Sequence, residues 1–237
     1  MAKKAKFNLK SFLIEYKTPL IIGLVIVGFF GWMLYLSNQN KINLNGVDSS
    51  KLIAASEQSG NIEEHVYSAS NANAKTTLVM YGDYQCGSCS TISPRVKAIS
   101  EKYGDKLNIV FRNYPISGHA NALSAAAAAE AAGLQGKFWA MHDSLYSHQN
   151  EWATANAQAR TDYYKKYAEE VGVSDINKFV EDMKSSAVSK KINFDKALGA
   201  ADKITGTPSL FLNGEELKSD VWGNEEEFHK AIEKVIK

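Results

Sequence analysis

Apolar and polar positions alternate in different ways along this chain, and each pattern predicts an element. Pro19 to Leu36 is an uninterrupted uncharged run. As a helix its residues rise roughly 27 Å, about the hydrocarbon thickness of a bilayer. Residues 37–63 are rich in Ser, Asn, Gln and Gly. They read as a flexible linker with a short helix near Ser50–Glu57. Patterned sequence resumes near Glu64, where His65-Val66-Tyr67 reads as a short edge strand. Thr76–Tyr81 is short, apolar and ended by Gly82-Asp83, as a buried strand is. Ser88–Tyr103 sets Ile92, Val96, Ile99 and Tyr103 on one helical face, and Pro94 inside it predicts a kink. Leu107–Asn113 is a second strand, stopped at Tyr114-Pro115.

A helical block follows: His119–Ala132 ended by Gly133, then Phe138–His148, Thr161–Val171, Ser174–Met183 and Val188–Lys203. The alanine run 125–129 predicts a helix face in close contact with a neighbour. Ser209–Leu212 is a strand, Asn213-Gly214 a two-residue hairpin turn, and Glu215–Lys218 the returning strand. Asn224 with Glu227 resembles a capping box, opening a last helix with Phe228, Ile232, Val235 and Ile236 as its apolar stripe. Strand-helix-strand, helical block, hairpin and helix make an α/β domain over residues 64–237, with a helical insertion at about 117–203.

Charge refines the first segment. Five lysines against Glu15 crowd residues 1–17, ahead of the apolar run, while Trp32 and Tyr35 lie near its far end. That asymmetry predicts a basic cytoplasmic segment 1–17, a transmembrane anchor 18–36, and the remainder outside the cytoplasm, a single-pass cell-membrane protein. A cleaved signal peptide fits less well: the run is long, and Ser37-Asn38-Gln39-Asn40 lacks a small-x-small cleavage pattern. A buried core helix would be less apolar all round. A net charge of +1 over 237 residues gives no electrostatic case for nucleic acid.

The only two cysteines are three positions apart, Cys86-Gly87-Ser88-Cys89, between a strand and a helix. As a structural staple the pair closes too small a loop to stabilise much. As half a zinc site it lacks partners, since the five histidines are not spaced as a ligand pair. As a redox couple it has the context it needs. Cys86 would sit at the helix N-terminus, where unpaired N–H groups stabilise a thiolate, and Cys89 further in would be more buried. Downstream, Gly206-Thr207-Pro208 leads into a strand. A cis Thr207-Pro208 bond would expose the Thr207 backbone to an extended peptide lying beside Cys86.

These segments resemble the thioredoxin superfamily, and within it the DsbA-like branch with a helical insertion. The likeness rests on His65-Val66-Tyr67, the run Leu78–Cys89, Pro94, Phe111-Arg112-Asn113-Tyr114-Pro115, Gly136-Lys137-Phe138-Trp139 with His142, and Thr205–Gly214. It implies a thioredoxin fold with an inserted helical domain, Cys86 as nucleophile, Cys89 as its partner and Pro208 as a cis-proline. Gly206, Thr207 and Tyr84 are expected to bind substrate. It further implies a thiol-disulfide oxidoreductase acting on unfolded or folding secreted proteins with free thiols, recharged by a membrane quinone-linked oxidase. The expected cofactor is none beyond the redox-active disulfide, and no metal or ATP-binding motif stands out. Relatives often carry an acid six positions before the first cysteine, where this chain has Met80, and some carry a histidine between the cysteines. The leading expectation is a disulfide oxidase. A reductase or isomerase would use the same couple, and a redox-independent peptide-binding or chaperone-like module is the alternative from another class.

Overall fold

Two strands that bury every residue run side by side in the sheet. The computed structural model describes residues 21–33, 42–67 and 74–236. In it β1 (Thr76–Gly82) pairs in parallel with β2 (Leu107–Asn113), Thr76 opposite Leu107 and Gly82 opposite Asn113. The crossover between them is α2 (Gly87–Tyr103), as a parallel pair requires. After β2 the chain leaves the sheet for a helical insertion: α3 (Ala122–Gly133), α4 (Phe138–Ser147), α5 (Gln149–Trp152), α6 (Ala157–Glu170), α7 (Ile176–Asp182) and α8 (Ser186–Ala201). It returns as β3 (Ser209–Leu212), antiparallel to β1, and β4 (Glu215–Leu217), antiparallel to β3. The sheet order is β2-β1-β3-β4. Asn213 and Gly214 both have positive φ, 52° and 87°, which the tight hairpin turn demands. The short α9 (Ser219–Trp222) precedes α10 (Glu225–Glu233), whose first turn is capped by Asn224 accepting from the Glu227 N–H.

Alternation along the strands separates two faces. Leu78, Met80, Ile109, Phe111, Leu210 and Leu212 share one face. They join Cys89, Ile92, Val96 and Ile99 of α2 and Phe228 and Ile232 of α10 in the main core. Tyr81 and Arg112, opposite each other in register, share the other face. β4 is the open edge, and Glu215 and Glu216 on it are exposed. On the far side, β2 is partly covered where Val66 bridges to Val110 and the Tyr67 N–H donates to the Ile109 carbonyl. The expected edge strand 65–67 is thus a single bridge.

The expected flexible linker over 37–63 needs correcting. Residues 37–41 lie outside the described residues, but from Leu44 onward the chain belongs to the same unit as the sheet and insertion. It forms no helix at 50–57; it is a strap of turns and extended chain. Arg112, fully buried, donates to the carbonyls of Ser49 (2.7 Å) and Lys51 (3.0 Å), and its Nε pairs with Glu64 Oε1 at 2.6 Å. Glu64 Oε2 in turn accepts from the Ile53 N–H. Gly60 has φ of 67° and lies so close to α8 that a Cβ would meet the Ala187 carbonyl oxygen at 2.2 Å, so only glycine fits.

The first unit ends at Asn43. Residues 21–33 form a helix, α1, whose large apolar side chains from Ile21 to Met33 are exposed. Among the described residues no helix is long and apolar enough to cross a membrane. The outer parts of the expected span, 18–20 and 34–36, and the basic segment 1–17 lie outside the described residues.

Candidate active site

β1 ends at Gly82, and Asp83-Tyr84-Gln85 carry the chain to the start of α2. Asp83 shapes this loop. Its carbonyl accepts from the Cys86 N–H (3.1 Å) and its buried carboxylate from the N–H groups of Gln85 (2.7 Å) and Ile116 (2.8 Å). His119 Nδ1 lies 2.8 Å from the same carboxylate. Cys86 is the N-cap of α2, with extended backbone, and its carbonyl accepts the first helical bond from Ser90. This puts Cys86 Sγ at the mouth of the helix, half-buried, and Cys89 one turn further in and fully buried. Both cysteines are free thiols.

The two sulfurs differ electrostatically. The Cys86 thiol is lowered to about 5, chiefly because the Cys89 thiol hydrogen-bonds to it, with backbone groups of Cys89 and Ser88 adding to the effect against the opposing cost of burial. The helix N-terminus therefore contributes as expected, but the partner thiol contributes more. Burial pushes the Cys89 thiol up, and a charged Cys86 beside it does the same. Cys86 Sγ also lies 3.3 Å from the Thr207 carbonyl, a bond that only the neutral thiol can donate. One exposed sulfur is thus an anion at neutral pH and the other a protonated thiol.

The Thr207-Pro208 bond is cis. Cys86, Cys89, Thr207 and Pro208 are therefore brought together. The Gly206 carbonyl accepts from Ser209 Oγ at 3.0 Å, which holds the approach to the bend. The Thr207 hydroxyl is buried, with no close hydrogen-bond partner among the described residues, and its polarity helps to lower both thiols. Tyr84 is the exception. Its side chain is buried, packs on Phe111 and Tyr146, and its hydroxyl meets His142 Nδ1 at 3.0 Å. It is a core residue under the redox turn, so the expectation that it touches substrate is corrected. His142 Nε2 continues the chain to Ser93 Oγ at 3.2 Å, and burial lowers the imidazole to about 3, so the ring is neutral.

Met80 occupies the strand position where the resemblance expects an acid, and it is buried in the apolar core. Asp83 does not replace that acid, because its carboxylate is taken up by Gln85, Ile116 and His119. No cluster of His, Cys, Asp and Glu among the described residues could hold a metal ion. Gln149, which no motif marks, bonds directly to the redox turn, and Gln85, within the resembling run but given no role there, braces it against the insertion.

A family model described as thioredoxin matches residues 62–234. The chain belongs to this thioredoxin family. Its solved neighbours include a thioredoxin-like oxidoreductase from Silicibacter pomeroyi, 25% identical with a TM-score of 0.59, covering 76% of this chain and 97% of that one. BdbD from Bacillus subtilis is 20% identical with a TM-score of 0.63, covering 78% and 97%. MdbA, a thiol-disulfide oxidoreductase from Corynebacterium diphtheriae, is 18% identical with a TM-score of 0.58, covering 76% and 94%. These neighbours share the fold of this chain over most of their own length. Among curated relatives, the Na(+)/H(+) antiporter NhaA 1 of Mycolicibacterium gilvum is 37% identical over 147 residues, 60% of this chain but 22% of the antiporter. The chain thus spans about a fifth of the curated relatives it matches, and antiport is not carried over. Within this family and fold, Cys86 and Cys89 form a paired dithiol at the start of α2, beside the cis Thr207-Pro208 bond.

Proposed function

We propose that the chain is a disulfide oxidase that introduces disulfides into extracytoplasmic proteins through the Cys86–Cys89 couple. The observation that carries this is the acidity of Cys86 beside a buried, protonated Cys89. A stabilised thiolate favours the reduced enzyme, and an enzyme that prefers to be reduced is an oxidant of others. In the oxidised enzyme a substrate thiolate attacks Cys86 Sγ. The Cys86–Cys89 bond breaks, and Cys89 leaves and takes a proton. A second substrate thiolate then attacks the substrate sulfur of the mixed disulfide, and Cys86 leaves as the stable thiolate. Two electrons have moved from two substrate thiols to the enzyme pair. The substrate peptide would lie along the Gly206-Thr207-Pro208 bend, where the Thr207 N–H makes no hydrogen bond among the described residues. Unfolded or folding secreted proteins are the substrates this geometry suits, and a membrane quinone-linked oxidase would recharge the couple. The exposed apolar surface of α1 supports anchoring of the chain in the membrane by its N-terminal segment.

The deciding measurement is the equilibrium of the couple with glutathione. An oxidase gives a potential well above that of thioredoxin, about −270 mV. A value at the thioredoxin end makes the enzyme a reductase using the same cysteines. Cys89→Ala, which removes the resolving thiol, should accumulate mixed disulfides through Cys86; absence of any trapped adduct overturns the assigned roles.

A further inference from the structure

The redox turn is held from outside its own loop. Gln149, the first residue of α5 in the helical insertion, donates through its one side-chain nitrogen to two carbonyls of the turn. These are Tyr84 at 2.7 Å and Cys86 at 3.1 Å. An amide nitrogen has two N–H donors, and both are used here. The Cys86 carbonyl thereby accepts twice, from Gln149 and from the Ser90 N–H that opens α2. A second glutamine works in the reverse direction. Gln85, within the turn, accepts from the Asn121 N–H (2.7 Å) and donates to the Ala153 carbonyl (2.8 Å), both in the insertion. Asn121 Nδ2 bonds the same Ala153 carbonyl at 2.9 Å, which joins the two ends of the brace.

Gln135 offers a comparison inside the same insertion. It makes three side-chain bonds to the two of Gln149, accepting from Ser174 and Asp175 and donating to the Asp175 carbonyl. None of them reaches the turn.

We propose that Gln149 is a positioning residue for thiol-disulfide exchange, holding the Tyr84 and Cys86 carbonyls so that the Cys86 sulfur stays at the mouth of α2 and beside Thr207. The proposal rests on the oxidoreductase reading of the site. The insertion then does more than cover the site: it fixes the sulfur in the place where helix and partner-thiol donors converge. The positive end of the Gln149 amide faces the turn, which favours a thiolate there. A carboxylate in its place would set negative charge against both carbonyls, loosening the turn and disfavouring a thiolate at its end.

The test compares Gln149→Glu, Gln149→Met and the control Gln135→Met in the full chain. Each is titrated by the ultraviolet absorbance of its thiolate and equilibrated with glutathione. Gln149→Glu should raise the Cys86 thiol by roughly one pH unit and make the couple about tenfold less oxidising, equivalent to about 30 mV. Gln149→Met should move both in the same direction by roughly threefold. Gln135→Met should lower thermal stability and leave titration and equilibrium where they were. Folded Gln149 variants that titrate like the parent overturn the proposal. So does a Gln135→Met shift of equal size, or a Gln149→Met chain that cannot fold, since Gln149 would then be a stability residue only. If the parent itself does not exchange with glutathione, the oxidoreductase reading fails, and the thiolate titration still decides the role of Gln149 at the turn.

Discussion

The two faces of the central sheet are built from different physics. On the face that carries α2, Leu78, Met80 and Phe111 meet Cys89, Ile92 and Val96, and the buried polar groups are neutral: Tyr84, His142 and Ser93 in one hydrogen-bonded chain. On the other face Arg112 joins Glu64, Tyr81 and the strap carbonyls, while Tyr81 donates to Asp202 at 2.7 Å. At the end of β2 a second charged group forms, with Lys191 and Asp195 2.6 Å apart, Asn113 donating to both Asp195 and Glu130, and His65 2.8 Å from Glu130. Arg112 ties the strap to β2 through Glu64, Ser49 and Lys51, and Asn113 ties α3 and α8 to the same strand through Glu130 and Asp195. No charged side chain is among the causes of Cys86's acidity. The molecule spends its buried charges on docking and leaves its chemistry to dipoles and a partner thiol.

The contrast can be broken at several points. Arg112→Leu leaves Glu64 buried without its cation and frees the strap. It should cost about 3–5 kcal/mol in denaturant unfolding, with the glutathione equilibrium little changed. A comparable change in that equilibrium would show that the charged face reaches the sulfur. The neutral face gives a pH signature. His142 is held at about 3, below the usual imidazole range. Below about pH 6.5 the unfolded chain therefore binds a proton that the folded one refuses, so stability falls as pH drops, by up to about 1.4 kcal/mol per pH unit, down to about 3. His142→Gln should flatten that part of the stability profile. A profile identical to the parent would mean the ring is not neutral. Asn224→Ala, which removes an exposed cap that belongs to neither network, should cost only about 1 kcal/mol in thermal unfolding. A larger loss would mean that α10 supports the core more than its packing suggests.

The residues that could be read from the sequence are those whose environment is local. Strand β1, helix α2 and the hairpin around Asn213-Gly214 follow from period and turn chemistry. The cysteine pair and Pro208 follow from spacing. The strap at 44–63 could not be read that way: its ties to Arg112, Asp202 and Ala187 run to residues far along the chain, and its composition is that of a loop. Tyr84 was misplaced for the opposite reason. It adjoins the cysteines in sequence, but a loop residue two positions from a helix N-cap can point inward, and this one does. Gln149 gave no signal at all, because a glutamine that bonds backbone carbonyls looks like any solvated glutamine. The four-residue helices α5 and α9 are too short to show a period.

The exposed glutamates of β4 have a consequence for how the sheet ends. An unguarded sheet border offers a ladder of amides onto which any extended polypeptide can add. Glu215 and Glu216 set negative charge along that border, which repels an incoming strand and discourages sticky co-assembly. The border is thereby kept from serving as a second docking edge, so that a strand can join the sheet there only against that charge.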